Sequence, residues 1–261
     1  MNEDFKCACV DFYQNDVVRL LLGRSFHPGG LELTRRLGEA LALGPGDFLL
    51  DAACGTGTSA VFLAGVFGCR VLGVDLGAEN LEQARRHAAD AGLADRVEFR
   101  QGDAERLPLE DGACTAVISE CSFCLFPDKE TAAREMFRVL AAGGRVGLTD
   151  MVVDRDRLPE EMKGLLFRAA CIADALTADG YRAVLGRAGF TGLTATDHPE
   201  ALLALAGQIR QRLLLAELAR AVGKLDLKGL DLKRGKVLLH QAEELVRDGV
   251  LGYTLITGSK P

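Results

Sequence analysis

From Leu31 to Leu148 short apolar runs alternate with helical patterns, and this rhythm constrains the fold more than any other feature of the chain. Phe48-Leu49-Leu50 reads as a buried strand that runs into Asp51-Ala-Ala-Cys-Gly-Thr-Gly57, and a helical pattern through Val61 and Leu63 follows. Val71 to Val74 is a second strand ending at Asp75, after which Leu81, Ala84, Ala88 and Ala91 mark one face of a helix. Val97 to Phe99, Ala116 to Ser119 and Arg145 to Leu148 continue the series. Ala133, Met136, Phe137 and Leu140 stand at helical spacing before Gly143-Gly144 turns the chain. Upstream, Leu33, Leu37, Ala40 and Leu41 share the face of a helix that Gly44-Pro45-Gly46 ends. The alternation predicts right-handed βαβ units: an α/β, doubly wound, mostly parallel sheet with helices on both faces.

The second half is less regular. Pro159 to Ala175 and Tyr181 to Ala188 read as helices, and Thr191 to Thr196 as a strand. Pro199 to about Val222 and Arg234 to Val246 read as amphipathic helices joined by a basic loop, with Gly252 to Thr257 as a seventh strand. A length of 261 residues suits one large domain with an appendage. The expected division is an N-terminal helical cover (1–45), a core (46–198), and a helical insertion plus final strand in the same domain (199–261).

Composition narrows the partners. A formal net charge of -6 provides no broad basic face, which argues against nucleic acid and for a small molecule. The leucine-rich stretch from Ala201 is broken by Gln208, Arg210, Gln211, Arg212 and Glu217, so it cannot span a bilayer. It is expected to serve as a lid or a homodimer surface. The opening MNEDFKCACV lacks the apolar run of a secretory signal, and the eight cysteines are not spaced as a disulfide scaffold. Both features predict the reducing cytoplasm, where grouped cysteines point to thiol chemistry or a bound metal or metalloid.

Gly55-Thr-Gly57 between a strand and a helix lets the backbone approach a ligand closely and aims unpaired amides at it. With Ala60 it also fits a dinucleotide fingerprint, and Asp75 follows at about the spacing of a ribose-binding acid. Nicotinamide dinucleotide and S-adenosylmethionine therefore compete. Asp51 favours the second, because a carboxylate beside the glycine loop repels a pyrophosphate and suits a ligand carrying an ammonium and a sulfonium. Asp103 after the third strand can accept from an adenine amino group. An open sheet gathers these residues at the carboxyl ends of its strands.

Taken in order, LLDAACGTGTSA, VLGVDLG, QGDAERLPLEDG, AVISECSFC and FRVLAAGGRVGLTD resemble the class I S-adenosylmethionine-dependent methyltransferases over about Phe48 to Asp150. The resemblance implies a Rossmann-like seven-stranded fold with S-adenosylmethionine as cofactor and S-adenosylhomocysteine as product. It implies that Asp51, Gly55 and Gly57 frame the methionine part, with Ala53, Cys54 and Ser119 beside it. Asp75 then takes the ribose hydroxyls, Leu76 packs on adenine, and Asp103 with Ala104 holds its amino edge. Ala53 stands where that family usually has glycine.

Within the family, Ile-Ser-Glu-Cys121-Ser-Phe-Cys124-Leu-Phe-Pro-Asp-Lys and Ala-Ala-Cys171-Ile-Ala-Asp-Ala-Leu look most like the arsenite methyltransferases. That likeness implies a thiophilic metalloid held as substrate by Cys121, Cys124 and Cys171, with no resident metal. A sulfonium nearby is expected to push such thiols toward thiolate. Departures accompany the match. Glu120 replaces the family asparagine, Phe123 its second strand-end cysteine, and Gly29 its upstream thiol, for which Cys7 and Cys9 could substitute. Glu120 is open between a general base and a hydrogen-bond acceptor. As a base it would serve carbon or oxygen methylation of a small organic acceptor, quinone-like in character. A structural zinc on the trio with His27, and a non-catalytic module binding S-adenosylmethionine or metal, are further alternatives. Cys54, Cys69 and Cys114 read as small apolar fillers.

Overall fold

A computed structural model describes Lys6, residues 27–164, Phe167, residues 171–221 and residues 232–261. Cys7 and Cys9 lie outside the described residues. Seven strands form one sheet in the order β3-β2-β1-β4-β5-β7-β6. They are β1 (Phe48–Ala52), β2 (Arg70–Asp75), β3 (Val97–Gln101), β4 (Cys114–Glu120), β5 (Leu140–Val153), β6 (Thr191–Asp197) and β7 (Leu251–Ser259). The strands β1 to β5 pair in parallel, and β7 runs antiparallel between β5 and β6. The fold is the Rossmann-like, mostly parallel architecture that the alternation predicts. Central strands buried on both faces explain why Leu49, Leu50, Val71, Leu72, Val117 and Ile118 occur in apolar runs rather than alternating with polar residues.

The helices are α1 (Gly30–Ala40), α2 (Thr58–Phe67), α3 (Ala78–Asp90), α4 (Lys129–Val139), α5 (Ala178–Ala188), α6 (Pro199–Ala221) and α7 (Leu232–Arg247). Of the expected apolar face, Leu33 and Leu37 of α1 and Leu41 just after it are in the core, whereas Ala40 is exposed. The seat of α1 on β5 depends on Gly147, where a Cβ would stand 2.6 Å from Leu37 Cδ1. Asp128 caps α4 by accepting from the Thr131 amide, and Thr177 caps α5 by accepting from Gly180. Both α6 and α7 lie between β6 and β7 in the chain, pack on each other and rest on β7. Leu213 of α6 is buried while Leu214 and Leu215 remain exposed. Among the described residues no helix is long and apolar enough to cross a membrane.

Two local expectations are corrected. The strand expected from Arg145 starts at Leu140, directly after α4; Gly143, with φ of 73°, and Gly144 form a bulge inside it, and the register against β4 jumps there. Pro159 to Ala175 is not one helix. Glu160–Met162 makes a single 3-10 turn, and Cys171 opens an irregular segment that ends where Leu176 bridges to Val152. Cys171 itself has φ of 63°, which a continuing helix does not permit.

Candidate active site

The chain leaves β1 and β4 in opposite directions, and the crevice this opens at their carboxyl ends is where doubly wound sheets hold ligands. A cleft of about 1220 Å³, counting the part open to solvent, occupies that place. Asp51, Ala53, Cys54, Gly55, Asp75, Leu76, Asp103, Ala104, Glu120 and Cys121 all line it. Residues that the sequence disperses over seventy positions thus line one cleft.

The loop after β1 is held through its backbone amides. The Cys54 amide donates to the Val74 carbonyl at 3.0 Å, the Gly55 amide to Asp75 Oδ2 at 2.9 Å, and the Gly57 amide to the Cys54 carbonyl at 3.0 Å. Gly55 has φ of 53° and open space where a Cβ would project, so its missing side chain leaves room in the cleft. Gly57 has a different task. Its φ is 73°, and a Cβ would stand 2.6 Å from Phe99 Cζ and 2.8 Å from Ala84 Cβ, so it lets α2 close against β3 and α3. It does not line the cleft.

Four carboxylates face the cavity in different states. Asp51 is 2% exposed, and its Oδ2 has no hydrogen-bond partner among the described residues. Burial first, then the charges of Glu120 and Asp75, raise its pKa well above the ordinary value. An unpartnered buried carboxylate on a cleft wall is complementary to a cationic group of a ligand. Asp75 Oδ1 accepts from the Gly77 amide at 2.8 Å and Asn80 Nδ2 at 3.3 Å, so it organises the loop as well as facing the cleft. Burial raises its pKa against the lowering effect of those bonds. Leu76 stands 39% exposed over the same wall, an apolar surface suited to an aromatic ring. Asp103 accepts from the Glu105 amide at 2.9 Å and from Lys6 Nζ at 2.6 Å, and Lys6 also reaches Glu105 at 2.7 Å. Ser119 lies beneath the cleft, fully buried, bonded to the Ser122 hydroxyl at 2.5 Å; Ser122 is the one that lines the wall.

Glu120 ends β4 at the other side of the cavity. Its Oε1 accepts from Thr149 Oγ1 at 3.1 Å and its Oε2 from Thr34 Oγ1 at 3.0 Å. His27 lines the cleft beside it, with Nε2 3.8 Å from Glu120 Oε2 and 3.4 Å from Thr34 Oγ1. The Pro28 carbonyl lies 3.3 Å from Nδ1 and can only accept, so Nδ1 carries a proton. Leu125, Phe126 and Pro127 supply an apolar face nearby, braced from behind by the buried Phe123 ring against Phe126 and Tyr181.

The cysteine trio converges, but behind the wall. Cys121 lines the cleft, whereas Cys124 and Cys171 are 1% and 2% exposed and do not line it. Cys171 Sγ donates to the Cys121 carbonyl at 3.3 Å, and its thiol is hydrogen-bonded with those of Cys121 and Cys124. The chain's own groups around the trio favour the thiol form. The bond with Cys171 and burial push the Cys121 thiol well above its ordinary pKa, and burial with the same partner does so for Cys124. Asp150 adds negative charge to both. It is buried, accepts from the Cys124 amide at 2.8 Å and the Met151 amide at 2.7 Å, and burial pushes it up to about 7. Among the described residues no group of three or more His, Cys, Asp or Glu is arranged to hold a metal ion. His27, a candidate fourth zinc ligand, has its Nε2 3.8 Å from Glu120 Oε2. Cys69 and Cys114 are buried fillers as expected, while Cys54 also lines the cleft.

Sequence reasoning missed Lys6, Asn80, Thr34, Thr149 and the role of His27 toward Glu120. Their contacts with the predicted acids join residues far apart in the chain, with one exception. The exception is Asn80, five residues from Asp75, whose polar side chain on an otherwise regular helix was the available signal.

A sequence profile described as "Methyltransferase domain" matches residues 49–144. The chain is 31% identical to Methyltransferase GfsG of Streptomyces halstedii, over 77% of this chain and 78% of that protein. It is 32% identical to O-methyltransferase cnsE of Penicillium expansum, over 88% of this chain and 78% of that one. An arsenite methyltransferase of Halobacterium salinarum is 35% identical, over 57% of this chain and 38% of its own length. In architecture the chain is similar to phosphoethanolamine N-methyltransferase 2 of Haemonchus contortus, solved in complex with S-adenosyl-L-methionine. The TM-score is 0.80 at 19% identity, covering 97% of this chain and 60% of that one.

Proposed function

The chain belongs to the class I S-adenosylmethionine-dependent methyltransferases and acts on a small molecule, and from that premise we propose that it methylates an oxygen of a small organic acceptor, with His27 and Glu120 as its base. The observation that carries this reading is the pair itself: an imidazole and a carboxylate in contact on the acceptor side of the cleft, beside the apolar face of Leu125, Phe126 and Pro127. The similarity to an O-methyltransferase over most of both chains supports it.

The cleft fits the cofactor. Asp51 would offer its unpartnered carboxylate to the cationic methionine part, Gly55 would leave space for it, Asp75 and Asn80 would take the ribose, and Leu76 and Ala104 would meet the adenine. Bound there, S-adenosylmethionine supplies an electrophilic methyl group on a sulfonium and leaves as S-adenosylhomocysteine. The rest belongs to this chain. His27 Nε2 accepts the proton of the acceptor hydroxyl, Glu120 stabilises the imidazolium so formed, and the apolar face excludes water and orients the acceptor for in-line attack.

The thiol trio supports a second reading, arsenite as the acceptor, because Cys121 opens onto the cleft and Cys171 touches both its partners. Arsenite would have to displace the thiol protons that burial retains. A single experiment separates the readings: incubation of the full chain with methyl-labelled S-adenosylmethionine and, in parallel, catechol, an enolisable diketone, sarcosine, and arsenite with glutathione. Label in a methyl ether, lost in Glu120→Gln and kept in Cys171→Ser, is the expected result. Label in arsenic that Cys171→Ser abolishes would transfer the assignment to the thiols; no label in any acceptor would favour a binding module.

A further inference from the structure

Glu120 is the strand neighbour of Thr149, paired with it in register across β4 and β5. A buried carboxylate at the mouth of a cleft has several rotamers open to it, and only those that face His27 serve the pair. Two elements remove the others. Thr149 of β5 donates to Oε1, Thr34 of α1 donates to Oε2, and the two bonds approach from different sides of the carboxylate. Thr149 is itself fully buried and constrained. The Tyr253 hydroxyl of β7 lies 3.2 Å from Thr149 Oγ1 and 3.3 Å from its carbonyl. A threonine hydroxyl has one proton. Thr149 gives that proton to Glu120 Oε1, so its Oγ1 is left to accept, and it stands with its own carbonyl and the Cys121 thiol as the acceptors within reach of the single Tyr253 proton.

We propose that Thr149, held in turn by Tyr253, is a positioning residue that aims the Glu120 carboxylate at His27. The proposal rests on the reading of His27 and Glu120 as a pair, and it extends the reaction machinery to a residue that touches neither acceptor nor cofactor. It also gives β7, the antiparallel strand, a part in chemistry otherwise assembled from β1, β4 and α1.

The test needs no acceptor. Ring-¹⁵N-labelled histidine is incorporated into the full chain, S-adenosylhomocysteine is added, and the ring-nitrogen signals of the four histidines are recorded. His27→Gln assigns its own set by loss, and Glu120→Gln sets the displacement expected when the carboxylate charge is gone. Thr149→Val keeps the shape and removes the hydroxyl. It is expected to move the His27 signals and leave those of His87, His198 and His240 in place, while Thr149→Ser restores them. Tyr253→Phe is expected to give a smaller displacement in the same direction, and it serves if Thr149→Val fails to fold. His27 signals unchanged in Thr149→Val, or displaced equally in Thr149→Ser, would overturn the proposal. His27 signals unmoved by Glu120→Gln would instead show that the pair is absent, so the failure of the proposed chemistry is read separately from the failure of the clamp.

Discussion

Asp51 and Glu120 end adjacent parallel strands and face the same cleft, and the charge of Glu120 is one of the reasons that Asp51 holds its proton so firmly. Burial is the larger reason. A cation bound beside Asp51 favours its ionised form, so cofactor binding is expected to expel a proton. Affinity for S-adenosylmethionine should then rise with pH until Asp51 is ionised in the free protein. Calorimetry in buffers of different ionisation enthalpy measures the proton released. Asp51→Asn should abolish the release and weaken binding by about tenfold or more, roughly 1.4 kcal/mol. Proton uptake on binding would contradict this account.

If His27 is the base, its removal should cost turnover without costing the cofactor. His27→Gln and Glu120→Gln are each expected to lower kcat by roughly 10²- to 10⁴-fold, with S-adenosylmethionine affinity little changed. Equal losses of turnover and cofactor affinity would mean that the pair supports the cleft rather than the chemistry.

The two glycines of the loop should fail in different ways. Gly57→Ala puts a methyl group into the Phe99 ring at a left-handed φ, and a loss of roughly 1–3 kcal/mol in unfolding free energy is expected. Gly55→Ala meets open space, so its cost in stability is only the backbone strain, about 1 kcal/mol. Its methyl group projects into the cleft, where the cofactor would lie. Denaturant melts and calorimetric titration of both variants should therefore rank them in opposite orders.

Asp150 makes stability depend on pH. Its folded pKa, about 7, lies above the reference value of 3.8, so the folded protein binds the proton more tightly. That contribution is fully present below the reference value and is lost as pH rises toward 7, with a ceiling of roughly 4 kcal/mol. Urea unfolding at a series of pH values should show the parent losing stability over this range relative to Asp150→Asn. Parallel slopes for the two proteins would remove Asp150 as the cause.

The order of the strands, the acids at their ends and the glycine loop are legible from residue pattern because they are local. Buried strands require apolar runs, and close approach of a backbone requires glycine at a particular turn. Even there the pattern reaches a limit at Gly143-Gly144, which reads as a turn before a strand; pairing with β4 makes it a bulge within one. The segment from Pro159 reads as helix because its apolar spacing suits one, and the bridge from Leu176 to Val152 overrides it.

The sequence by itself determines the fold class and the position of Asp51, Gly55, Asp75, Asp103 and Glu120 at one end of the sheet, since periodicity and strand ends are properties of neighbouring residues. Tertiary structure decides what those groups are. Whether a cysteine is a thiolate or a buried thiol depends on the solvent it loses and the charges brought beside it, and for Cys121 and Cys124 both favour the thiol. Likewise Glu120 meets His27, Thr34 and Thr149 because α1 and the turn before it bring Thr34 and His27 to the end of β4, and β5 supplies Thr149. Those contacts join residues from 29 to 93 positions apart, the separations of Thr149 and His27 from Glu120. Desolvation and long-range contact are created by packing, and no spacing along the chain encodes them.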